Sequence, residues 1–232
     1  MEAVGYFVTN VLDGIEFARG GADTKWGRLR AEMGHPKPFA LEYVGIGNEE
    51  CAGFNSYCGK PDLPTVRRYC ESVRKIVTAM RQANPKLKFV NEIMWMGKRM
   101  DLMEESFALT DGFCDYWDLH VWTENAASFG SVFGTVDRFR DLVRRKNPKS
   151  TMKAAIFEEN GRSHGMKRAL GHATALMAAR EFGDFLLTSC PANALQPYGH
   201  HDNGWDQGQV FFTPDKVWLQ PYGWAQQMAS AN

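Results

Sequence analysis

The chain has 232 residues, and its 27 Lys and Arg residues are balanced by 27 Asp and Glu residues, which gives a formal net charge of zero. This balance excludes the basic footprint that binding to nucleic acid or to an acidic membrane surface requires. A hydrophobic content of 44% is enough for one sizeable core, and an aromatic content of 12% suits a site that stacks against the flat apolar faces of sugars.

Cysteine usage and the first residues predict the compartment. The five cysteines form no CxxC pair and no zinc-site spacing, which indicates reduced thiols. The first residues lack the basic segment and apolar stretch of a signal peptide, and no apolar run reaches the roughly 18 residues that span a bilayer. We therefore expect a cytoplasmic protein.

Short apolar runs alternate with amphipathic stretches of helical length. In chain order the sequence predicts a strand over 40–46, a helix over 63–82, a strand over 87–93, a helix over 100–109, a strand over 116–121, a helix over 136–145, a strand over 153–157, a helix over 166–182 and a strand over 184–187. The polar, turn-rich stretch after 199 predicts a long loop before a last helix from about Tyr222. The alternation predicts one α/β domain in which helices cover a parallel sheet.

Polar residues collect at the carboxyl ends of the predicted strands. The groups concerned are Asn48 and Glu49, Asn91 and Glu92, His120 and Trp122, Glu158 to Asn160, and Asn193. In parallel sheets and barrels this rim carries the ligand or the chemistry. Two carboxylates on different strands are the minimum equipment for glycoside hydrolysis, which makes Glu49 and Glu159 a candidate pair and Asn48 a candidate donor to a sugar hydroxyl.

Several segments resemble the family 51 α-L-arabinofuranosidases. GIGNEE (45–50), preceded by RAEMGHPKPFALEYV, is similar to the acid/base segment of that family, and KAAIFEEN (153–160) to its nucleophile strand. DGIEFARGGADTKWG (13–27), CDYWDLHVW (114–122) and DNGWDQGQVFFTP (202–214) resemble further segments. The resemblance implies a (β/α)8 TIM-type barrel, of which residues 1–232 would form a single catalytic-domain fragment with about five βα units.

The resemblance also implies a role for particular residues. Glu49 would be the acid/base and Glu159 the nucleophile of a retaining hydrolysis, and Glu158 is the alternative because adjacent strand residues point to opposite faces. The implied substrate-binding residues are Asn48, His120, Trp122 and Asn193. The implied substrate is a terminal α-L-arabinofuranosyl group of an arabinose-containing oligosaccharide or polysaccharide. No metal or organic cofactor is required.

Three other hypotheses stay open. The segment 161–165, GRSHG, fits the G-x-S-x-G elbow of a serine esterase with Ser163 as nucleophile, although no HGGG-type oxyanion segment accompanies it. His200, His201 and Asp202 are metal-ligating residue types in a polar loop. A chain without the first three barrel units could bind carbohydrate without catalysis, and its unpaired sheet edge favours a homo-oligomer.

Overall fold

Strands and helices alternate along the chain in the computed structural model, which describes residues 2–49, 62–92, 99–199 and 207–231. The helices are α1 (Glu2–Arg19), α2 (Lys25–Glu32), α3 (Leu63–Ala83), α4 (Met100–Thr110), α5 (Ser128–Lys146), α6 (Met166–Arg180) and α7 (Pro221–Ser230). The strands are β1 (Tyr43–Ile46), β2 (Lys88–Asn91), β3 (Tyr116–Asp118), β4 (Val121–Trp122), β5 (Lys153–Asn160), β6 (Leu186–Pro191), β7 (Leu195–Pro197), β8 (Val210–Phe212) and β9 (Val217–Leu219). None of these helices has both the length and the apolar character needed to cross a bilayer.

The main sheet is parallel throughout its described strands. Its order is β1-β2-β3-β5-β4, and β6 pairs with the other side of β5. Both β3 and β4 pair with β5, so they are two parts of one interrupted strand. Because parallel neighbours require crossover connections, helices α3 to α6 lie between successive strands. The predicted alternation of strands and helices is confirmed.

Three of the differences from the sequence prediction have a clear local cause. The residues after 199 were predicted as a loop, but β8 pairs with β7 and β9 in a small second sheet because the apolar run 210–212 finds partners on both sides. Strand β5 continues to Asn160 instead of ending at Phe157, since β4 and β6 supply backbone partners along its polar end. Helix α5 begins at Ser128 rather than Val136, in a stretch where glycines obscure the helical pattern.

The hydrophobic core lies between the main sheet and its helices. Its largest fully buried side chains include Trp117 of β3, Phe89 of β2, Phe107 of α4 and Phe139 of α5. The rings of Trp117 and Phe139 meet edge to face at 5.0 Å. Because strand residues alternate between faces, the burial of Trp117 against the helices turns the next residue, Asp118, to the opposite face.

The two tryptophans of the interrupted strand provide a test of this layering. Trp117 is fully buried, whereas Trp122 is 42% exposed. We expect Trp117→Ala to lower the free energy of unfolding by about 3–5 kcal/mol because it leaves a large cavity. We expect Trp122→Ala to change it by only about 0.5 kcal/mol. Guanidinium unfolding of both variants measures the difference, and equal losses would contradict the assignment of the core face.

Candidate active site

Three titratable side chains meet at the carboxyl ends of β1, β3 and β5. His120 Nδ1 lies 2.8 Å from Glu49 Oε1 and 3.7 Å from Glu158 Oε2. One oxygen of each acid and one ring nitrogen of His120 all lie within 4.8 Å of one another. Of the predicted site residues, the structure thus brings Glu49 and His120 together, and their carboxylate partner is Glu158.

The loop after β1 gives Glu49 its unusual backbone conformation. Gly47 has φ 86° and Glu49 has φ 51°. A positive φ is common for glycine but uncommon for other residues, and such conformations cluster at functional sites. The turn therefore directs the Glu49 side chain back toward His120 instead of continuing the strand, and it leaves Asn48 exposed between the two residues.

His120 is held between two carboxylates. Its Nε2 lies 2.8 Å from Asp118 Oδ2, while Nδ1 faces Glu49. Asp118 is fixed in turn because its Oδ1 accepts the backbone N–H of Phe157 at 2.7 Å. Burial would lower the pKa of His120, but the hydrogen bonds to Asp118 and Glu49 and the charges of Asp118 and Glu158 raise it to about 9.

This pairing makes the cluster a carboxylate–imidazole network. Glu49, His120 and Glu158 also have the residue types and the spacing of a cation site. Each ring nitrogen of His120 nevertheless lies 2.8 Å from a carboxylate oxygen, so both nitrogens act as N–H donors and offer no lone pair to a metal ion. Proton transfer is therefore the chemistry that this arrangement of residues supports.

Glu92 adds a further carboxyl group at the end of β2. Its Oε1 occupies the space above Gly45 of β1. A Cβ atom on residue 45 would lie only 1.6 Å from this oxygen. Burial and the charges of Asp118 and Glu158 raise the pKa of Glu92 to about 7, against the lowering effect of His120. Glu92 was predicted at this rim without a role, and the structure makes it a titratable neighbour of the cluster.

Glu159 lies on the opposite face of β5 and is fully buried. Its Oε1 accepts a hydrogen bond from Thr123 Oγ1 at 2.6 Å and lies 2.6 Å from His172 Nδ1. The guanidinium of Arg168 is 3.9 Å away. Burial alone would raise the pKa of Glu159, but the contacts with His172, Thr123 and Arg168 lower it overall. Ser189 Oγ of β6 also donates to its Oε2 at 3.2 Å. Glu159 is therefore paired with α6, β6 and Thr123, and not with Glu49.

The sequence predicted that Glu49 would be paired with Glu159. In the structure, the acid that lies beside Glu49 and His120 is Glu158. Register shifts between Ala154 and Ile156 and between Ile156 and Glu159 interrupt the β5–β6 ladder. A shift of this kind breaks the two-residue alternation, so the facing of a strand-end residue cannot be counted from the apolar residues before it.

The other predicted residues lie at the rim or in different contacts. Trp122 is exposed at the end of β4, with the Arg162 guanidinium 5.8 Å from its ring, and Asn193 is exposed just after β6. Ser163 donates its hydroxyl hydrogen bond to Glu124 Oε1 at 2.7 Å, which is the contact of a loop-stabilising serine. His200, His201 and Asp202 lie outside the described residues.

Comparison with known proteins identifies the family. The model of the α-L-arabinofuranosidase 1 domain matches residues 1–143, a span that includes Glu49 and His120. The chain belongs to this family. It is 28% identical over 221 residues to α-L-arabinofuranosidase 2 of Arabidopsis thaliana, and the alignment covers 95% of the chain but 28% of that protein. The chain thus spans just over a quarter of the length of this curated relative.

Solved structures confirm the predicted fold class for this family member. An α-L-arabinofuranosidase from Thermotoga maritima, in an arabinose complex, superposes with a TM-score of 0.74 at 16% identity over 94% of this chain and 45% of its own. AbfB, a family 51 α-L-arabinofuranosidase from Bifidobacterium longum, gives 0.74 at 14% identity over 97% and 51%. At these identities the likeness concerns the fold, and it identifies the parallel sheet as part of a TIM-type barrel.

The raised pKa of His120 predicts a stability that depends on pH. Its pKa in the folded chain, about 9, lies above the ordinary value of 6.5. The resulting stabilisation, on the order of 3 kcal/mol, is complete below the unfolded pKa and is lost as the pH rises through the folded pKa. Guanidinium unfolding at about pH 6, 7.5 and 9.5 measures this loss. His120→Gln should remove it, whereas the exposed His35→Gln should keep it, and identical profiles for all three proteins would refute the assignment.

Substitutions of the two adjacent acids of β5 should have unequal effects on stability. Replacing Glu159 by Gln leaves Arg168 and His172 without their buried anion, so we expect a loss of about 3–5 kcal/mol in the free energy of unfolding. Glu158→Gln changes a partly exposed carboxyl and should cost less than about 1 kcal/mol. Chemical denaturation at neutral pH compares the two variants. A larger loss for Glu158→Gln would contradict the observed facing of the strand.

Proposed function

We propose that this chain carries the catalytic carboxylates of a retaining glycoside hydrolase that releases terminal α-L-arabinofuranosyl groups, with Glu49 as acid/base and Glu158 as nucleophile. The observation that carries the proposal is the separation of their carboxyl oxygens, which is within 4.8 Å. This is close to the roughly 5–5.5 Å of retaining enzymes and below the roughly 6.5–9.5 Å of inverting ones. The names of the relatives, α-L-arabinofuranosidases from plants and bacteria, support an arabinose-containing glycan as substrate.

In the first step the glycosidic bond is exchanged for an ester. A carboxylate oxygen of Glu158 attacks the anomeric carbon while the bond to the leaving oxygen breaks. The proton on Glu49 passes to that oxygen, so the leaving group departs as a neutral alcohol. The product of this step is an arabinofuranosyl ester of Glu158 and an ionised Glu49.

In the second step water replaces Glu158. The oxygen of the water attacks the anomeric carbon while Glu49 accepts a proton from that water, and the ester bond breaks to restore the Glu158 carboxylate. Two successive inversions retain the configuration. The hydrogen bond of 2.8 Å between His120 Nδ1 and Glu49 Oε1 gives the acid/base a fixed partner in both of its protonation states. His120 donates its Nδ1–H to Glu49 Oε1 throughout, and the proton that Glu49 gives to the leaving oxygen in the first step is regained from water in the second.

Three rim residues complete the proposed substrate site. Asn48 adjoins the acid/base and is exposed, which supports a role for its amide in hydrogen bonding a sugar hydroxyl. The exposed indole of Trp122 offers an apolar face to a sugar ring, and the nearby Arg162 offers donors. Asn193 follows β6 at the same rim and is proposed as a further amide contact.

Chemical rescue by azide tests the two roles. In Glu158→Ala, azide replaces the missing nucleophile, so p-nitrophenyl α-L-arabinofuranoside should yield a glycosyl azide of inverted configuration. In Glu49→Ala, azide replaces the water of the second step and should yield the retained azide. Without azide we expect the turnover of Glu158→Ala to fall by about 10⁴-fold or more. Proton NMR of the azide products determines the configuration.

Glu159→Gln is the matched control for the nucleophile. It alters the neighbouring acid on the other face of β5, so we expect its folded fraction, measured below the unfolding transition of this destabilised variant, to keep turnover within about tenfold of the parent protein. A mechanism-based arabinofuranosyl label should be recovered on the peptide carrying Glu158. Recovery on Glu159, or azide rescue of a Glu159 variant, would overturn the assignment of the nucleophile.

A further inference from the structure

A chain of side-chain amides leads from the backbone to Glu158. The backbone N–H of Gly161 donates to Gln207 Oε1 at 2.7 Å. Gln207 Nε2 donates to Asn160 Oδ1 at 3.2 Å, and Asn160 Nδ2 donates to Glu158 Oε1 at 2.6 Å. Gln207 is 2% exposed and Asn160 is 4% exposed. Both amides are therefore shielded from competing water.

The backbone N–H fixes the direction of every hydrogen bond in this chain. It can only donate, so the oxygen of Gln207 must face it and the nitrogen of Gln207 must face Asn160. The oxygen of Asn160 then accepts from that nitrogen, and its own nitrogen is left to face Glu158. The last hydrogen bond is therefore donated by Asn160 Nδ2, and Glu158 Oε1 must accept it.

The two amides are also held in place through their backbones. The Asn160 carbonyl accepts hydrogen bonds from Arg168 Nη1 at 2.8 Å and from the backbone N–H of Thr123 at 2.9 Å. The Gln207 carbonyl accepts the hydroxyl of the fully buried Tyr222. The backbone positions from which the two side-chain amides extend are therefore fixed by contacts in the core.

We propose that Asn160 and Gln207 are positioning residues, which engage Oε1 of Glu158 and leave Oε2 as the oxygen that attacks the anomeric carbon. The free oxygen is the one on the side of His120, whose Nδ1 is 3.7 Å away. This inference rests on the proposed role of Glu158 as nucleophile. It adds that the attacking atom is selected by a residue, Gln207, that makes no hydrogen bond to Glu158 and acts through Asn160.

Gln207→Glu tests the direction of the chain without touching Glu158. A carboxylate at 207 still accepts from Gly161 but has no hydrogen to donate, so the Asn160 amide must turn its nitrogen toward 207 and its oxygen toward Glu158. We expect kcat on an aryl α-L-arabinofuranoside to fall by on the order of a hundredfold, with KM nearly unchanged, because the nucleophile is misplaced. Asn160→Asp, which puts an oxygen in the place of the donor, should have the same effect and should move the acidic limb of the kcat/KM profile to higher pH.

Gln196→Glu is the matched control. Gln196 is 4% exposed and its Oε1 accepts the backbone N–H of Gly208 at 2.7 Å, so the substitution puts the same charge in an equivalent contact. This variant should match the thermal destabilisation of Gln207→Glu and keep the kcat and pH profile of the parent protein. Equal kinetic losses in the two variants would reduce Gln207 to a structural role and overturn the inference.

Crystal structures of the parent protein and of Gln207→Glu separate this inference from the proposed function. We expect the Asn160 amide to be reversed and the Glu158 carboxyl to be rotated away from its 2.6 Å contact in the variant. An unchanged Glu158 would overturn the inference whatever the activity. Absence of turnover in the parent protein, or failure of azide to rescue Glu158→Ala, would count against the proposed function, while the two crystal structures would still decide whether Gln207 orients Glu158.

Discussion

The attachment of β5 to α6 is the constraint on which the site depends. Arg168 of α6 is fully buried and donates to the carbonyl oxygens of Glu159 at 2.9 Å and of Asn160 at 2.8 Å. Gly161 allows this approach, since a Cβ atom there would lie 2.7 Å from Arg168 Nε. Because the backbone of β5 is bonded to α6 on one face of the sheet, the Glu158 side chain extends from the other face, where Glu49 and His120 lie.

The same attachment accounts for the different fates of two adjacent acids. Glu159 is buried with a cation and three hydrogen-bonding side chains, which is the condition under which a carboxylate can stay ionised in a core. Glu158 is only partly buried and receives one amide donor, so an oxygen remains available for chemistry. The two faces of one strand thus carry a buried ion pair and a partly exposed acid, respectively.

The cleft concentrates negative charge around one imidazole. Glu49 and Asp118 bond directly to His120, and Glu158 and Glu92 lie close to it. Mutual repulsion of these acids is reduced in two ways: His120 holds a proton up to a pKa of about 9, and Glu92 holds one up to about 7.

The sequence by itself determined the parallel α/β class, and it predicted that Glu49 and His120 would lie together at the carboxyl ends of the strands, because periodicity and strand-end polarity are local properties of the chain. The choice between Glu158 and Glu159 needed the tertiary structure, since it depends on register shifts in β5 and on the partners that α6 offers. The contacts of Asp118 with Phe157 and of Gln207 with Asn160 could not be predicted from the sequence either. Their contacts join residues from separate elements, such as the 47 positions between Asn160 and Gln207, and no local pattern records which distant amide a folded chain will bring to a given carboxylate.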